Sequence, residues 1–201
     1  MSNHNLANVK AAKGKKMLLL LALVFVLPFT IAFTLHLLDI RPGGKSFGNL
    51  VTPVVELKMP AFEDAKGAEF ASEKWSEIWS IVAVEAGACD IACESNIDKL
   101  DRVRRSMHKD TNRLQQILML TEDYDVQAIE ALQTKFPYLN ILPAKTSSQK
   151  QFVEQFKQVA TAGSFYLVDP LNNLMMSYPQ DVAPKELRAD IKRLFKNSWG
   201  G

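Results

Sequence analysis

A chain of 201 residues with 47% hydrophobic content, nine glycines and nine prolines has room for one globular domain plus an appendage, and it is neither collagen-like nor low-complexity. The net charge of +2 conceals an asymmetry. Residues 1–38 hold Lys10, Lys13, Lys15 and Lys16 and no acid, so residues 39–201 carry −2. That balance leaves no basic patch suited to nucleic acid, which is excluded as a partner.

The lysines have a membrane explanation. Residues 17–38 are 22 positions without Asp, Glu, Lys or Arg, and hydrocarbon about 30 Å thick needs roughly 20 helical residues. The expectation is a transmembrane helix over 17–38, preceded by a basic cytoplasmic tail, 1–16, with everything after the helix exported. Pro28 is tolerable in such a helix, and His36 lies near its exit end, within reach of headgroups. A cleaved signal peptide is the alternative, but its apolar region spans about 7–15 residues and no small-x-small site follows this longer run.

Residues 39–53 (DIRPGGKSFGNLVTP) read as a Gly/Pro-punctuated linker, and 54–201 as the folded domain. Val54 to Leu57 predicts a short strand. Residues 61–77 are mixed, with Trp75 and Trp79 expected to cover the edge of a core. The run 78–84 reads as a buried strand. After it, Ile97, Leu100, Val103 and Met107 recur at helical spacing. The charged Lys99, Asp101, Arg102, Arg104 and Arg105 are that helix's solvated face. A second apolar run, 114–120, predicts another strand, and 126–135 a short helix. A weak strand at 138–142 ends at Pro143. Ser147 or Ser148 caps a helix to Val159, with Phe152, Val153 and Phe156 on one face. Strands 165–168 and 174–178 form a hairpin about Asp169-Pro170, and Pro184 opens a last helix with Leu187, Ile191, Leu194 and Phe195 inward. Strands alternating with helices, then a hairpin and a helix, predict an α/β sandwich of the thioredoxin type.

The two cysteines, Cys89 and Cys93, sit where the 78–84 strand hands over to a helix. In an exported domain such a pair can be structural, redox-active or metal-binding. A bridge across three intervening residues closes almost no loop, so its gain from restricting the unfolded chain is small. Residues i and i+4 share a helix face, and the free amides and partial positive charge of a helix N-terminus stabilise a thiolate, against which Asp90 and Glu94 act. Two thiolates also suit Cu(I) by softness; zinc would want further ligands, and no second CxxC or HxxxH is present.

Cys89-Asp90-Ile91-Ala92-Cys93 opening a helix, the later Tyr166-Leu167-Val168-Asp169-Pro170, the lysine-flanked anchor and the linker together resemble the SCO/SenC proteins. Those are membrane-tethered, thioredoxin-like proteins that deliver copper, or reduce cysteines, during cytochrome c oxidase assembly. The resemblance extends over about residues 50–195, and the 79–93 and 102–120 stretches look like small bacterial membrane proteins associated with oxidase operons. It implies a bacterial inner-membrane protein with a periplasmic domain, copper as a possible cofactor, and an oxidase subunit or another copper or thiol protein as partner.

One departure matters. The family's third copper ligand is a histidine a few residues before the Tyr-Leu-x-Asp-Pro motif, and that place falls at Thr161; the cis-proline that thioredoxins place near this strand is missing too. His108 lies past the far end of the cysteine helix, roughly 20 Å away at 1.5 Å per residue, which removes it as a ligand. Met175 and Met176 could offer sulfur to Cu(I), although filling gaps in a core is the more frequent use of methionine. Cys89 and Cys93 are thus the candidate site residues, as tentative Cu(I) ligands or as a redox pair with Cys89 attacking and Cys93 resolving. A general periplasmic thiol–disulfide oxidoreductase, or a scaffold of degenerate thioredoxin fold that uses neither cysteine, are the alternatives.

Overall fold

The computed structural model describes residues 3–38, 46–87, 89–159 and 165–198, and the chain divides into two units, Met1–Lys45 and Ser46–Gly201.

In the first unit, helix α1 (Asn3–Leu37) includes Lys16–Leu37, a 22-residue stretch of mean hydropathy 2.7 that is long and apolar enough to cross a membrane. Its two hydroxyls are satisfied within the helix: Thr30 Oγ1 donates to the Leu27 carbonyl at 2.9 Å and Thr34 Oγ1 to the Thr30 carbonyl at 2.6 Å.

The second unit is built on strands β1 (Asn49–Glu56), β2 (Phe62–Glu63), β3 (Glu69–Phe70), β4 (Trp79–Glu85), β5 (Leu114–Leu120), β6 (Leu139–Pro143), β7 (Phe165–Val168) and β8 (Asn173–Tyr178). Its helices are α2 (Ile91–Arg105), α3 (Val126–Lys135), α4 (Ser147–Lys157) and α5 (Pro184–Asn197). Six strands form one sheet in the order β1-β8-β7-β4-β5-β6, while β2 and β3 pair separately. The strands β4, β5 and β6 run parallel, and β7, β8 and β1 continue the sheet antiparallel to their neighbours. Pro53 and Pro143 both fall in edge strands, where a missing N–H costs the sheet no bond.

Both sheet faces are covered, so the central strands are mostly apolar on both faces yet still sort with period two. Ile81 and Ala83 join Ile97 and Leu100 of α2 and Leu187, Ile191 and Phe195 of α5 in one core. Val82 and Val84 join Phe152, Val153 and Phe156 of α4 in the other, with Phe62, Phe70 and Trp75 closing it. The result is the predicted thioredoxin-like α/β sandwich.

Four readings change. Strand β1 opens at Asn49, so residues 49–53, read as linker, are sheet; their backbone pairs with β8, a bond that loop-like composition does not report. The β2–β3 hairpin lies in the stretch left mixed, its strands too short to show alternation. Trp75 and Trp79 are core residues, 1% and 3% exposed, because Trp75 packs edge-on against Phe152 and Trp79 against Phe195. Helix α4 is capped by Thr146, not by either serine. Thr146 Oγ1 accepts the Gln149 N–H and Gln149 Oε1 accepts the Thr146 N–H, a reciprocal box.

The stretch that leads into β1 is fixed from α5. Asp190, 3% exposed, accepts through Oδ2 from Ser46 Oγ, Phe47 N and Gly48 N at 3.1, 2.8 and 3.1 Å.

Candidate functional site

The carboxyl ends of the parallel strands all meet at one end of the sheet, where open α/β folds place their sites. Strand β4 ends at Glu85, turns through Ala86 and Gly87, and delivers Cys89 and then α2. Gly87 is needed for a close approach. A Cβ there would stand 3.2 Å from the Asp123 carbonyl and 3.7 Å from Glu122 Cβ, so the loop after β5 lies against this turn.

Cys89 and Cys93 are joined in a disulfide with Cα atoms 5.1 Å apart, inside the usual range for such a bond. The helix begins one residue later than its first cysteine suggests. Asp90 is the N-cap, in extended conformation, and its Oδ1 accepts the Cys93 N–H at 2.8 Å while its carbonyl accepts the Glu94 N–H at 2.8 Å. Cys89 precedes the cap and Cys93 is the third helical residue. The two therefore differ in access: Cys93 is buried at 3% exposure beneath α2, and Cys89 is half-buried against the same core.

The electrostatics are mixed. Ile91 and Ala92, as the first two helical residues, have no intrahelical acceptor for their N–H groups, which favours a nearby thiolate. Asp90 opposes it. Glu94, expected to oppose it too, is engaged by the Lys135 ammonium of α3. Burial holds the Glu85 carboxyl above its ordinary range, and the neighbouring Asp90 charge raises it further. Lys99, one turn and a half along α2 from Cys93, donates to the Gln180 carbonyl at 2.5 Å and stands over the Phe165 ring; burial lowers its pKa, Asp181 acts to raise it and Arg102 to lower it.

Other sulfur and imidazole groups lie elsewhere. Met176 is buried and accepts the Tyr178 hydroxyl at 3.2 Å, so it is a core residue. Met175 lines an apolar groove of about 450 Å³ with Trp79, Leu171 and Leu194, at the end of the sheet opposite the cysteines. His108 follows the far end of α2. Thr161 lies outside the described residues. Among the described residues no group of three or more His, Cys, Asp or Glu could hold a metal ion. The cysteines alone therefore offer two sulfurs, and only when reduced, which suits a soft monovalent cation as cargo and does not make a complete resident site.

The charge run on α2 divides in two. Arg102 and Arg105 are exposed and pair with Asp98 and Asp101, whereas Arg104 lies over the Tyr138 ring and donates to the Leu114 carbonyl. Sequence reasoning missed the Asp90 cap, although an Asp followed by Ile, Ala and Cys at a helix start carries that signal. It also missed the Asp190 contact with residues 46–48, for which a separation of more than 140 residues leaves no local signature.

A sheet of parallel and antiparallel strands, covered on both faces, with a cysteine pair at the start of the helix after a central strand, defines a thioredoxin-like protein. This chain belongs to the family described as the transmembrane-like, thioredoxin-like, C-terminal domain, which matches residues 79–198. Among curated proteins none matches the sequence significantly. Solved structures share the fold. Yeast Sco1 superposes with a TM-score of 0.61 at 20% identity, over 74% of this chain and 98% of that one. Bradyrhizobium japonicum ScoI, a structure with copper bound, gives 0.52 at 14% over 69% and 99%. DsbF of MTB, solved in mixed oxidised and reduced forms, gives 0.50 at 16% over 67% and 94%.

Proposed function

We propose that this chain is a membrane-anchored thiol–disulfide protein acting, like the Sco proteins it resembles, in assembly of a cytochrome c oxidase, where Cys89 and Cys93 reduce a copper-site disulfide to its thiols or hand over copper. The observation that carries the reading is the closed Cys89–Cys93 bridge between one half-buried and one fully buried cysteine. Such a pair can pass two electrons without rearranging the domain, because the Asp90 cap fixes the start of α2.

The chemistry uses this chain's own groups. In the dithiol form the Cys89 thiolate attacks one sulfur of a partner disulfide, whose other sulfur leaves as a thiolate. The Cys93 thiolate then attacks Cys89 Sγ, the mixed bond breaks, and the partner departs as a dithiol while the Cys89–Cys93 bridge closes. Copper is cargo in the second version: two reduced sulfurs hold Cu(I), and with Thr161 in the place of the family's histidine, the remaining donor comes from the recipient. The lysines at the start of α1, ahead of its apolar stretch, support an amino terminus in the cytoplasm of a bacterial cell and a domain in the periplasm.

The test is trapping in cells. The Cys93→Ala variant leaves the Cys89 mixed disulfide unresolved, and the expected captured partner is an oxidase subunit or its copper donor. Full oxidase activity in a strain whose only copy is the double Cys89→Ala/Cys93→Ala variant would contradict the proposal.

A further inference from the structure

The end of β4, the loop after it, the first turn of α2 and the loop after β5 surround the bridge and together carry Glu85, Asp90, Glu94, Glu122, Asp123 and Asp125 and no lysine or arginine. The two loops approach each other where Gly87 faces the Asp123 carbonyl and the Glu122 side chain. Glu94 is paired with Lys135; Asp90 and Asp125 accept backbone amides of their own helices, which leaves their charge in place. At the opposite end α2 closes with Arg102, Arg104 and Arg105, of which Arg102 and Arg105 pair with Asp98 and Asp101, and the second half of α5 carries Lys192 and Lys196. The cysteines thus lie at an acidic rim, whose Glu94 is paired with Lys135, while Lys145 after β6 pairs with Glu63.

The same rim carries two apolar side chains that stand exposed among the described residues. Ile91 stands between the cysteines and is 90% exposed, and Val126, which opens α3 beyond the second acidic loop, is 54% exposed. A small polar thiol or a free metal ion gains nothing from an exposed isoleucine; a protein surface does.

We infer that the partner of this site is a protein whose reactive cysteines are set among lysine or arginine side chains, with an apolar patch that receives Ile91. The inference rests on the thiol-exchange reading above and adds the class of partner. A surface of one sign raises encounter rates with the opposite sign by about 10–10³-fold, and the effect fades as the screening length falls from about 30 Å at 0.01 M salt to about 3 Å at 1 M. The step is the exchange already written: the partner disulfide is reduced to a dithiol and the Cys89–Cys93 dithiol is oxidised, with no third reactant.

The experiment uses the full-length protein in neutral detergent, reduced and freed of reductant. Three synthetic peptides carry the same cystine loop flanked by lysines, serines or glutamates. The oxidation rate of the protein by each is divided by that peptide's rate with dithiothreitol, which removes its intrinsic reactivity. The expected result is a lysine-to-glutamate ratio of roughly tenfold or more at 0.01 M salt, falling toward one at 0.5 M. Glu122→Gln/Asp123→Asn should cut that ratio several-fold, and Lys192→Gln/Lys196→Gln at the far end should leave it unchanged. Equal normalised rates at low salt, or a ratio that the rim variant does not move, would overturn the inference while leaving thiol exchange standing. Failure of even the serine peptide to oxidise the protein would remove the thiol-exchange reading, and the inference with it.

Discussion

The Asp90 carboxylate accepts the Cys93 backbone N–H at 2.8 Å, so the residue that follows Cys89 both caps α2 and places a negative charge beside that cysteine. The two roles separate by substitution. Asp90→Ala loses the cap and should cost about 1 kcal/mol in urea unfolding. Asp90→Asn keeps the cap and removes the charge, which should speed the alkylation of Cys89 by iodoacetamide at pH 7 in the reduced protein. An Asn variant that alkylates more slowly than the parent would show that the charge does not govern this thiol.

Asp190 fixes the first residues of the folded unit. Its Oδ2 holds Ser46, Phe47 and Gly48, and a Cβ on Gly48 would lie 2.7 Å from Cδ1 of the buried Tyr178 ring. Asp190→Ala should destabilise the domain by roughly 2–3 kcal/mol, since bonds to a charged acceptor are lost and buried amides are left without one. Gly48→Ala should destabilise it too, through displacement of Tyr178. Unfolding midpoints by circular dichroism read both, and an unchanged midpoint in Asp190→Ala would count against the clamp.

Gln116 is fully buried on β5, between Ile81 and Leu139, and neither its Nε2 nor its Oε1 has a hydrogen-bond partner. An amide buried that way costs about 1–3 kcal/mol. Gln116→Met, similar in length and without those groups, should raise stability by about 1 kcal/mol. A lower unfolding midpoint in this variant would contradict the assignment.

Glu85 supplies a pH dependence of known sign. Its carboxyl is held above the ordinary value of 4.5, first by burial and then by Asp90, so folding favours the protonated form. The stability it contributes is present below that ordinary value and is lost as the pH rises through the raised folded pKa. Glu85→Gln, uncharged at every pH, should therefore be more stable than the parent at pH 7 and nearly equal to it at pH 4. A larger advantage at pH 4 than at pH 7 would reverse the sign and sink the argument.

How much of this was legible in the sequence depends on the range of the interaction involved. Strands 79–85, 114–120 and 165–168 are dominated by apolar residues on both sides because both sheet faces are covered, and helices α2, α3 and α5 carry their periodicity in local spacing. The cysteine pair at the strand-to-helix junction was legible for the same reason. Residues 49–53 were not, since a Pro in an edge strand looks like linker until its neighbour β8 is known. Trp75 gave no sign of its burial because its partners Phe62 and Phe152 come from distant segments. The acidic rim was hidden for a topological reason: Glu85–Glu94 and Glu122–Asp125 are separate in sequence and meet only because β4 and β5 are parallel neighbours.

The central claim is that Cys89 and Cys93 form one reversible two-electron couple in the folded protein. It is tested most directly by equilibrating full-length protein with graded ratios of reduced to oxidised dithiothreitol, quenching with acid and counting free thiols, with circular dichroism recorded on the same samples. The account predicts that two thiols appear together in a single transition while the fold is retained, and that the Cys89→Ser variant shows one thiol throughout. A bridge that stays closed until the domain unfolds would make it a structural element and contradict the account.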